Sequence, residues 1–201
     1  YDLYLRLTEQ AEKVVHIPHL LYYWRSSPTS VASNISAKLY CLEAAVKALY
    51  AHYERVGVPV DAVTMIPNTP GFYKTDYTIT KPGRVSILIP TCDHTDDLET
   101  CIESIYARTT YPDFEVILIE NNSKSPETFR TYARMQKEHP DNLRVVTWEG
   151  KGFNYSALNN FGEKYATGEY ILLLNNDTEV ITPKWLEEMV MYAQQERVGC
   201  V

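Results

Sequence analysis

The chain has 201 residues, of which 45% are hydrophobic and 22% charged, and 19 basic against 26 acidic side chains leave a formal net charge of -7. That much apolar material is enough for a buried core and excludes a disordered or collagen-like chain. The acidic sum argues against general electrostatic binding to nucleic acid or to an anionic membrane, so any bound phosphate must be held by local groups. In chain order, Tyr1-Asp2-Leu3-Tyr4-Leu5-Arg6-Leu7 reads as the continuation of a helix, and Val14–Ile17 and Leu20–Trp24 read as short strands. A long helix follows, with apolar residues at Leu39, Leu42, Val46, Leu49, Tyr53 and Val56, spaced 3, 4, 3, 4 and 3 in one continuous stripe. Ser33 or Asn34 can cap its start, and Gly57 followed by Pro59 ends it. Six prolines and glycines between Pro59 and Gly83 then mark an extended linker that carries one strand, Phe72–Ile79.

From Val85 onward the pattern is regular. Apolar strands begin near Val85, Glu115, Leu143 and Tyr170, at intervals of 30, 28 and 27 residues, with room for one amphipathic helix in each gap. That is the period of a βαβ unit. Asp96-Asp97-Leu98-Glu99 has the form of a capping box, while Ser125-Pro126 and Thr182-Pro183 each place a cap before a proline at the first helical position. Short, continuous apolar strands imply burial on both faces, hence a three-layer αβα fold around a mostly parallel sheet. Ligands of such sheets bind outside the carboxyl ends of the strands.

At those ends the sequence is polar: Pro90-Thr91-Cys92-Asp93-His94 after the first strand, Glu120-Asn121-Asn122-Ser123 after the second, and Asn175-Asn176-Asp177 after the fourth. Lys151-Gly152-Phe153-Asn154 follows the third strand and opens a helix, whose N-terminus with a nearby lysine suits a phosphate. Two common phosphate devices are missing, since no GxGxxG follows the first strand and no GxxxxGK[ST] occurs anywhere. Asp177 with neighbouring amide oxygens, opposite a second acid at Glu120, is a donor set for a hard divalent cation that leaves positions open for substrate phosphates. Cys92 and His94, at i and i+2, make neither a tetrahedral zinc site nor an oriented dyad.

Val85-Ser86-Ile87-Leu88-Ile89-Pro90-Thr91, Ile117-Leu118-Ile119-Glu120-Asn121-Asn122-Ser123, Gly152-Phe153-Asn154 with Asn159 and Gly162, and Leu173-Leu174-Asn175-Asn176-Asp177 resemble, in order and spacing, the successive signatures of family 2 inverting glycosyltransferases of the GT-A fold. The resemblance implies a nucleoside-diphosphate sugar donor bordered by Pro90, Thr91 and Asp93, with Glu120 at the position that reads the base. Asn122, and Lys151 to Asn154, would lie against nucleotide or diphosphate. Asn175 and Asn176 complete a variant of the Asp-x-Asp motif whose Asp177 is the metal ligand, for Mn2+ or Mg2+. Asn175 stands where the family carries its first aspartate, which removes one negative charge.

Residues 1–33 similarly resemble the tail of a preceding glycosyltransferase domain, and 34–84 the connecting helix and linker of tandem members. Residues 85–201 would then be the nucleotide-sugar-binding half of a second domain. On this reading the chain contains no catalytic base: that of the first domain lies just before Tyr1 and that of the second beyond Val201. The reaction implied is inverting transfer to an acceptor hydroxyl, saccharide or lipid-linked, in polysaccharide or glycoconjugate synthesis. Donor binding without transfer is expected of these residues alone.

Other readings are narrower. A sugar-nucleotide pyrophosphorylase would want a Gly-rich, basic loop after the first strand, and Pro90–His94 is neither. A non-catalytic nucleotide-sugar-binding or scaffold module remains as the alternative, favoured by Asn175 and the missing base. No run of 18 apolar residues exists to span a bilayer and no signal peptide is evident. Cys41, Cys92, Cys101 and Cys200 lack CxxC spacing, which fits a reduced, cytoplasmic chain; a place at the inner face of the membrane, peripheral to it, is the expectation beside it.

Overall fold

The computed structural model describes residues 1–23, 25 and 40–201. The chain divides into two compact units, 1–78 and 79–201. The boundary expected at 33/34 and the capping residues Ser33 and Asn34 lie outside the described residues, as do Leu39 and Trp24.

The first unit contains α1 (Asp2–Gln10), α2 (Tyr40–Val56), β1 (Val60–Met65) and β2 (Tyr73–Tyr77). Most of the stripe on α2 is covered, with Leu49 buried and Leu42, Val46 and Tyr53 half-buried, but Val56 at the last turn is exposed, which corrects the expectation of one continuous covered stripe. Glu9 joins the two helices, accepting from Arg55 Nε and Nη2 at 2.8 and 2.7 Å and lying 2.6 Å from His52 Nδ1. Arg55 first, and His52 second, pull the Glu9 carboxyl down to about 2. Two expectations are corrected. Residues 14–17 and 20–23 form no strand, since a short apolar run becomes one only when another strand offers it a ladder. The segment after α2 holds two strands, an antiparallel hairpin that pairs Val63 with Thr75 and Met65 with Tyr73. Asp61 interrupts the apolar pattern of β1 and conceals it in the sequence.

The second unit is an αβα layer structure: β3 (Val85–Thr91), α3 (Thr95–Arg108), β4 (Phe114–Glu120), α4 (Pro126–Glu138), β5 (Leu143–Thr147), α5 (Tyr155–Glu163), β6 (Tyr170–Leu173) and α6 (Trp185–Ala193). The strands pair in parallel in the order β5-β4-β3-β6, and all four begin within a residue of the expected positions. Burial on both faces holds for the central pair, where every residue of β3 and Glu115–Glu120 of β4 are buried. The edge strands β5 and β6 are only partly covered, which corrects the expectation of continuous burial.

Ile87, Ile89, Val116 and Leu118 pack on one face with Leu98, Ile105, Met135 and Leu186. Leu88, Ile117 and Ile119 pack on the other with Val146 and Leu158 of α5. Gly162 lets α5 come close, because a Cβ there would sit 2.3 Å from Ile119 Cδ1. At the amino end of the sheet the fully buried Glu115 carboxylate accepts from Ser86 Oγ (2.7 Å), Thr167 N (2.6 Å), Thr167 Oγ1 (2.9 Å) and Arg144 Nη2 (2.7 Å).

Ser125 caps α4 as expected, its Oγ accepting from Glu127 N at 3.2 Å with Pro126 in the first turn. The other two helix starts differ. α3 begins one residue before the expected box, with left-handed His94 at the N-cap and no side-chain cap bond. α6 begins after Lys184, and Thr182-Pro183 lies in the preceding turn, where the Thr182 carbonyl accepts from Trp185 N at 3.1 Å. All four cysteines are free thiols. Among the described residues no helix is long and apolar enough to cross a membrane.

Candidate functional site

The chain leaves β3 to form β4 and β5 on one side, whereas β6 pairs on the other, so the connections diverge at the carboxyl end of β3. Such a switch point is where open α/β sheets hold ligands. The in-register pairing sets Thr91 beside Glu120 and Glu120 beside Thr147. The polar clusters that follow β3, β4, β5 and β6 therefore share one edge of the sheet.

Pro90 and Thr91 are the last two residues of β3, in the middle of the sheet, and both are buried. The Thr91 carbonyl accepts from Asn121 N at 2.9 Å, and its hydroxyl lies buried beside the Tyr132 hydroxyl. Glu120 is buried at the end of β4, where Oε1 accepts from Ser123 N at 2.6 Å and the main-chain carbonyl accepts from Trp148 N at 2.9 Å. Asn122 is exposed and left-handed, φ 59°, a conformation Asn tolerates better than most residues. Its Nδ2 donates to Asn121 Oδ1 (2.8 Å) and Gly150 O (3.0 Å), tying the loop after β4 to the loop after β5. Gly150 is needed there, because a Cβ would fall 2.3 Å from the Trp148 indole.

Asp93 is also left-handed, φ 50°. Its backbone N–H donates to Ser123 Oγ at 3.0 Å. The carboxylate accepts from Lys124 N (3.1 and 3.3 Å), Ser125 N (3.1 Å) and Thr128 Oγ1 (3.0 Å). The Ser125 amide foremost, helped by Thr128 and Lys124 against the opposing effect of burial, holds the carboxyl below the usual range.

Lys151 is exposed beside Gly152, and Asn154 is the N-cap of α5, its Oδ1 accepting from Ala157 N at 3.0 Å. Phe153, between them, is 74% exposed. After β6, Asn175 and Asp177 are exposed and Asn176 half-buried, with Asn176-Asp177 in a turn. Asn175 O accepts from Thr178 Oγ1 within the same loop (2.9 Å) and from Cys101 Sγ of α3 (3.8 Å).

Sequence reasoning named Ser123 in the polar cluster without giving it a role and passed over Thr128 and Tyr132, Tyr132 OH lying 3.4 Å from Ser123 Oγ. Ser123 carried a signal, standing directly after the Glu-Asn-Asn run. Among the described residues no group of three or more His, Cys, Asp or Glu side chains could hold a metal by itself. Asp177 is the exposed carboxylate of this turn, with Asn175 and Asn176 directly before it in the chain. A separate groove of about 680 Å3 runs along the outer side of β6, lined by residues such as Leu172, Met189 and Val198. It is apolar and holds none of the candidate residues.

Residues 86–201, more than half of the chain, match the family model described as "Glycosyl transferase family 2". The chain belongs to glycosyl transferase family 2. Over its whole length it is 39% identical to the O-antigen biosynthesis protein RfbC of Myxococcus xanthus and 39% identical to the uncharacterized protein y4gI of Sinorhizobium fredii. It spans only 15% and 22% of those relatives. Among solved structures it resembles the mannosyltransferase PcManGT from Pyrobaculum calidifontis, solved with GDP-Man and Mn2+ (TM-score 0.54, 23% identity, covering 82% of this chain and 44% of that one). The α/β unit of this family 2 chain has the GT-A fold.

Proposed function

We propose that the carboxyl edge of the second unit binds the nucleoside-diphosphate part of a sugar donor, in an inverting glycosyltransferase that builds a polysaccharide or glycoconjugate. The observation that carries this reading is the buried Glu120 carboxylate, in register with Thr91 at the switch point of the sheet. An acid that is costly to bury without partners, fixed by the Ser123 amide, is suited to accept hydrogen bonds from a base or ribose. Thr91 offers a second buried polar side chain, and Pro90 and Asp93 border the same place. Asn122, Lys151 and Asn154 line the next loops, where the exposed lysine can meet phosphate oxygens as a point charge. Support comes from the family relationship, from the O-antigen biosynthesis role in the name of the Myxococcus relative and from the GDP-Man complex of the structural neighbour.

Asp177, with Asn175 and Asn176, would hold a divalent cation such as Mn2+ or Mg2+, which neutralises charge on a departing diphosphate. In the transfer itself, an acceptor hydroxyl oxygen bonds to the anomeric carbon as the bond from that carbon to the diphosphate oxygen breaks. The electron pair leaves with the nucleoside diphosphate, and the hydroxyl proton passes to a carboxylate base. This chain contributes binding and orientation of the donor, with the base supplied by polypeptide outside it. The much greater length of the relatives supports this division and the tandem reading of residues 1–84. A cytoplasmic protein, peripheral at the inner membrane face and using a saccharide or lipid-linked acceptor, is consistent with it.

Calorimetry of the chain with UDP and with GDP, with and without Mn2+, tests the reading. Metal-dependent binding of at least one nucleotide, abolished by Asp177→Ala, is expected. A folded chain that binds neither favours a scaffold module. Sugar transfer by these 201 residues at the rate of a longer protein would contradict the division of labour.

A further inference from the structure

We propose that Asp93 is a positioning residue that acts on the donor through Glu120 and uses its carboxylate to lock the loop after β4. This rests on the donor-binding reading above. Three facts carry it. First, the Asp93 carboxylate accepts from the loop itself, from the Lys124 and Ser125 amides and from Thr128 Oγ1 one turn into α4. Second, its backbone N–H donates to Ser123 Oγ, and the amide of that same serine donates to Glu120 Oε1 at 2.6 Å. Ser123 thus links the ends of β3 and β4, with Asp93 on one side and Glu120 on the other. Third, Asp93 and His94 are consecutive left-handed residues, φ 50° and 49°. Side chains other than Gly adopt that backbone at a cost, which the surrounding bonds offset.

The arrangement also explains why an acid is required at position 93. Two successive amides at the start of α4 and one hydroxyl converge on it, three donors for an acceptor-only group, and the exposed N-terminus of a helix favours negative charge. Asparagine has the same shape but turns one acceptor into a donor, which would face an amide N–H. With the loop released, Ser123 no longer holds Glu120 in one orientation. Donor binding then has to order the loop at the moment of association, which lowers affinity without removing any direct contact.

The test compares Asp93→Asn, Ser123→Ala and Thr128→Val with the parent chain, by calorimetry with UDP and GDP in Mn2+ and by amide hydrogen exchange. Glu115→Gln, which loosens the opposite end of the sheet, serves as the control for stability loss. The expected result is a fall in nucleotide affinity of about tenfold or more for Asp93→Asn, smaller falls for the other two, and none for Glu115→Gln. Faster exchange confined to the amides of Ser123, Lys124 and Ser125 should accompany the Asp93→Asn loss. Unchanged affinity in Asp93→Asn overturns the proposal. A loss of affinity with unchanged exchange overturns it too, because Asp93 would then touch the nucleotide itself. If the parent chain binds neither nucleotide, the donor reading fails, while the exchange data still decide whether Asp93 holds the loop.

Discussion

Glu115 and Glu120 lie five residues apart on one strand, are both buried, and serve different ends. Glu115 is surrounded by donors from three neighbouring segments and has no ligand-facing role; Glu120 sits at the open edge of the sheet. Burial alone would raise the Glu115 carboxyl, but Ser86, Thr167 and Arg144 outweigh it and leave it below its ordinary value. A carboxyl whose folded value is depressed contributes stability above its unfolded value, near 4.3, and that contribution is lost as pH falls through the folded value. Replacing Glu115 with Ala should therefore cost about 2–4 kcal/mol at pH 7 in urea unfolding, by leaving buried donors unpaired. Glu115→Gln should flatten the fall in stability below pH 4; an acid limb identical to the parent's would contradict the assignment. None of this was legible in the sequence, where a glutamate at a strand start reads as solvated and its partners lie 29 and 52 residues away. Glu120 was legible only because it follows an unbroken apolar run and precedes Asn-Asn-Ser.

At the scale of elements, what the sequence reveals is what is decided locally. Ser125 and Pro126 act on the turn they occupy, and α4 starts there. Thr182-Pro183 offers the same local signal, but the turn closed by the Thr182 carbonyl delays α6 to Trp185. Residues 14–23 and the hairpin of β1 and β2 depend on partners far along the chain, and local pattern misjudged both. The spacing between α5 and the sheet is likewise a matter of tertiary contact. Gly162→Ala improves helix propensity by about 1 kcal/mol, yet its methyl would collide with Ile119 in a packed core. We expect a net loss of about 1–3 kcal/mol in thermal or urea unfolding, part of it recovered by adding Ile119→Val. A Gly162→Ala chain more stable than its parent would show that α5 can move away without cost.

For the whole molecule, the acidic net charge and the two compact units shape what can be expected. The second unit has its own sheet, both its helix layers and every residue assigned here to donor binding. A chain of residues 79–201 should unfold in one cooperative transition and keep the nucleotide affinity of the 201-residue chain within about twofold, roughly 0.4 kcal/mol. Loss of binding in a folded 79–201 chain would mean that the first unit contributes to the site. Composition alone placed a sizeable core in this chain, and the βαβ spacing located all four strands of the sheet. The strand order and the hydrogen bonds that Asp93, Thr128 and Tyr132 make near the carboxyl end of the sheet arise from tertiary packing, and a linear pattern does not carry them.

On the proposed function, one edge of the sheet, built from the ends of β3, β4, β5 and β6, receives a nucleoside diphosphate. Titrating an isotope-labelled chain with UDP and with GDP in Mg2+, and following backbone amide shifts, tests it most directly. Perturbations are expected at Thr91–Asp93, Glu120–Ser123, Lys151–Asn154 and Asn175–Asp177 together, with the amides around Glu115 unmoved. Shifts that gather instead along the outer groove of β6, at Leu172, Met189 and Val198, or no shift with either nucleotide, would contradict it.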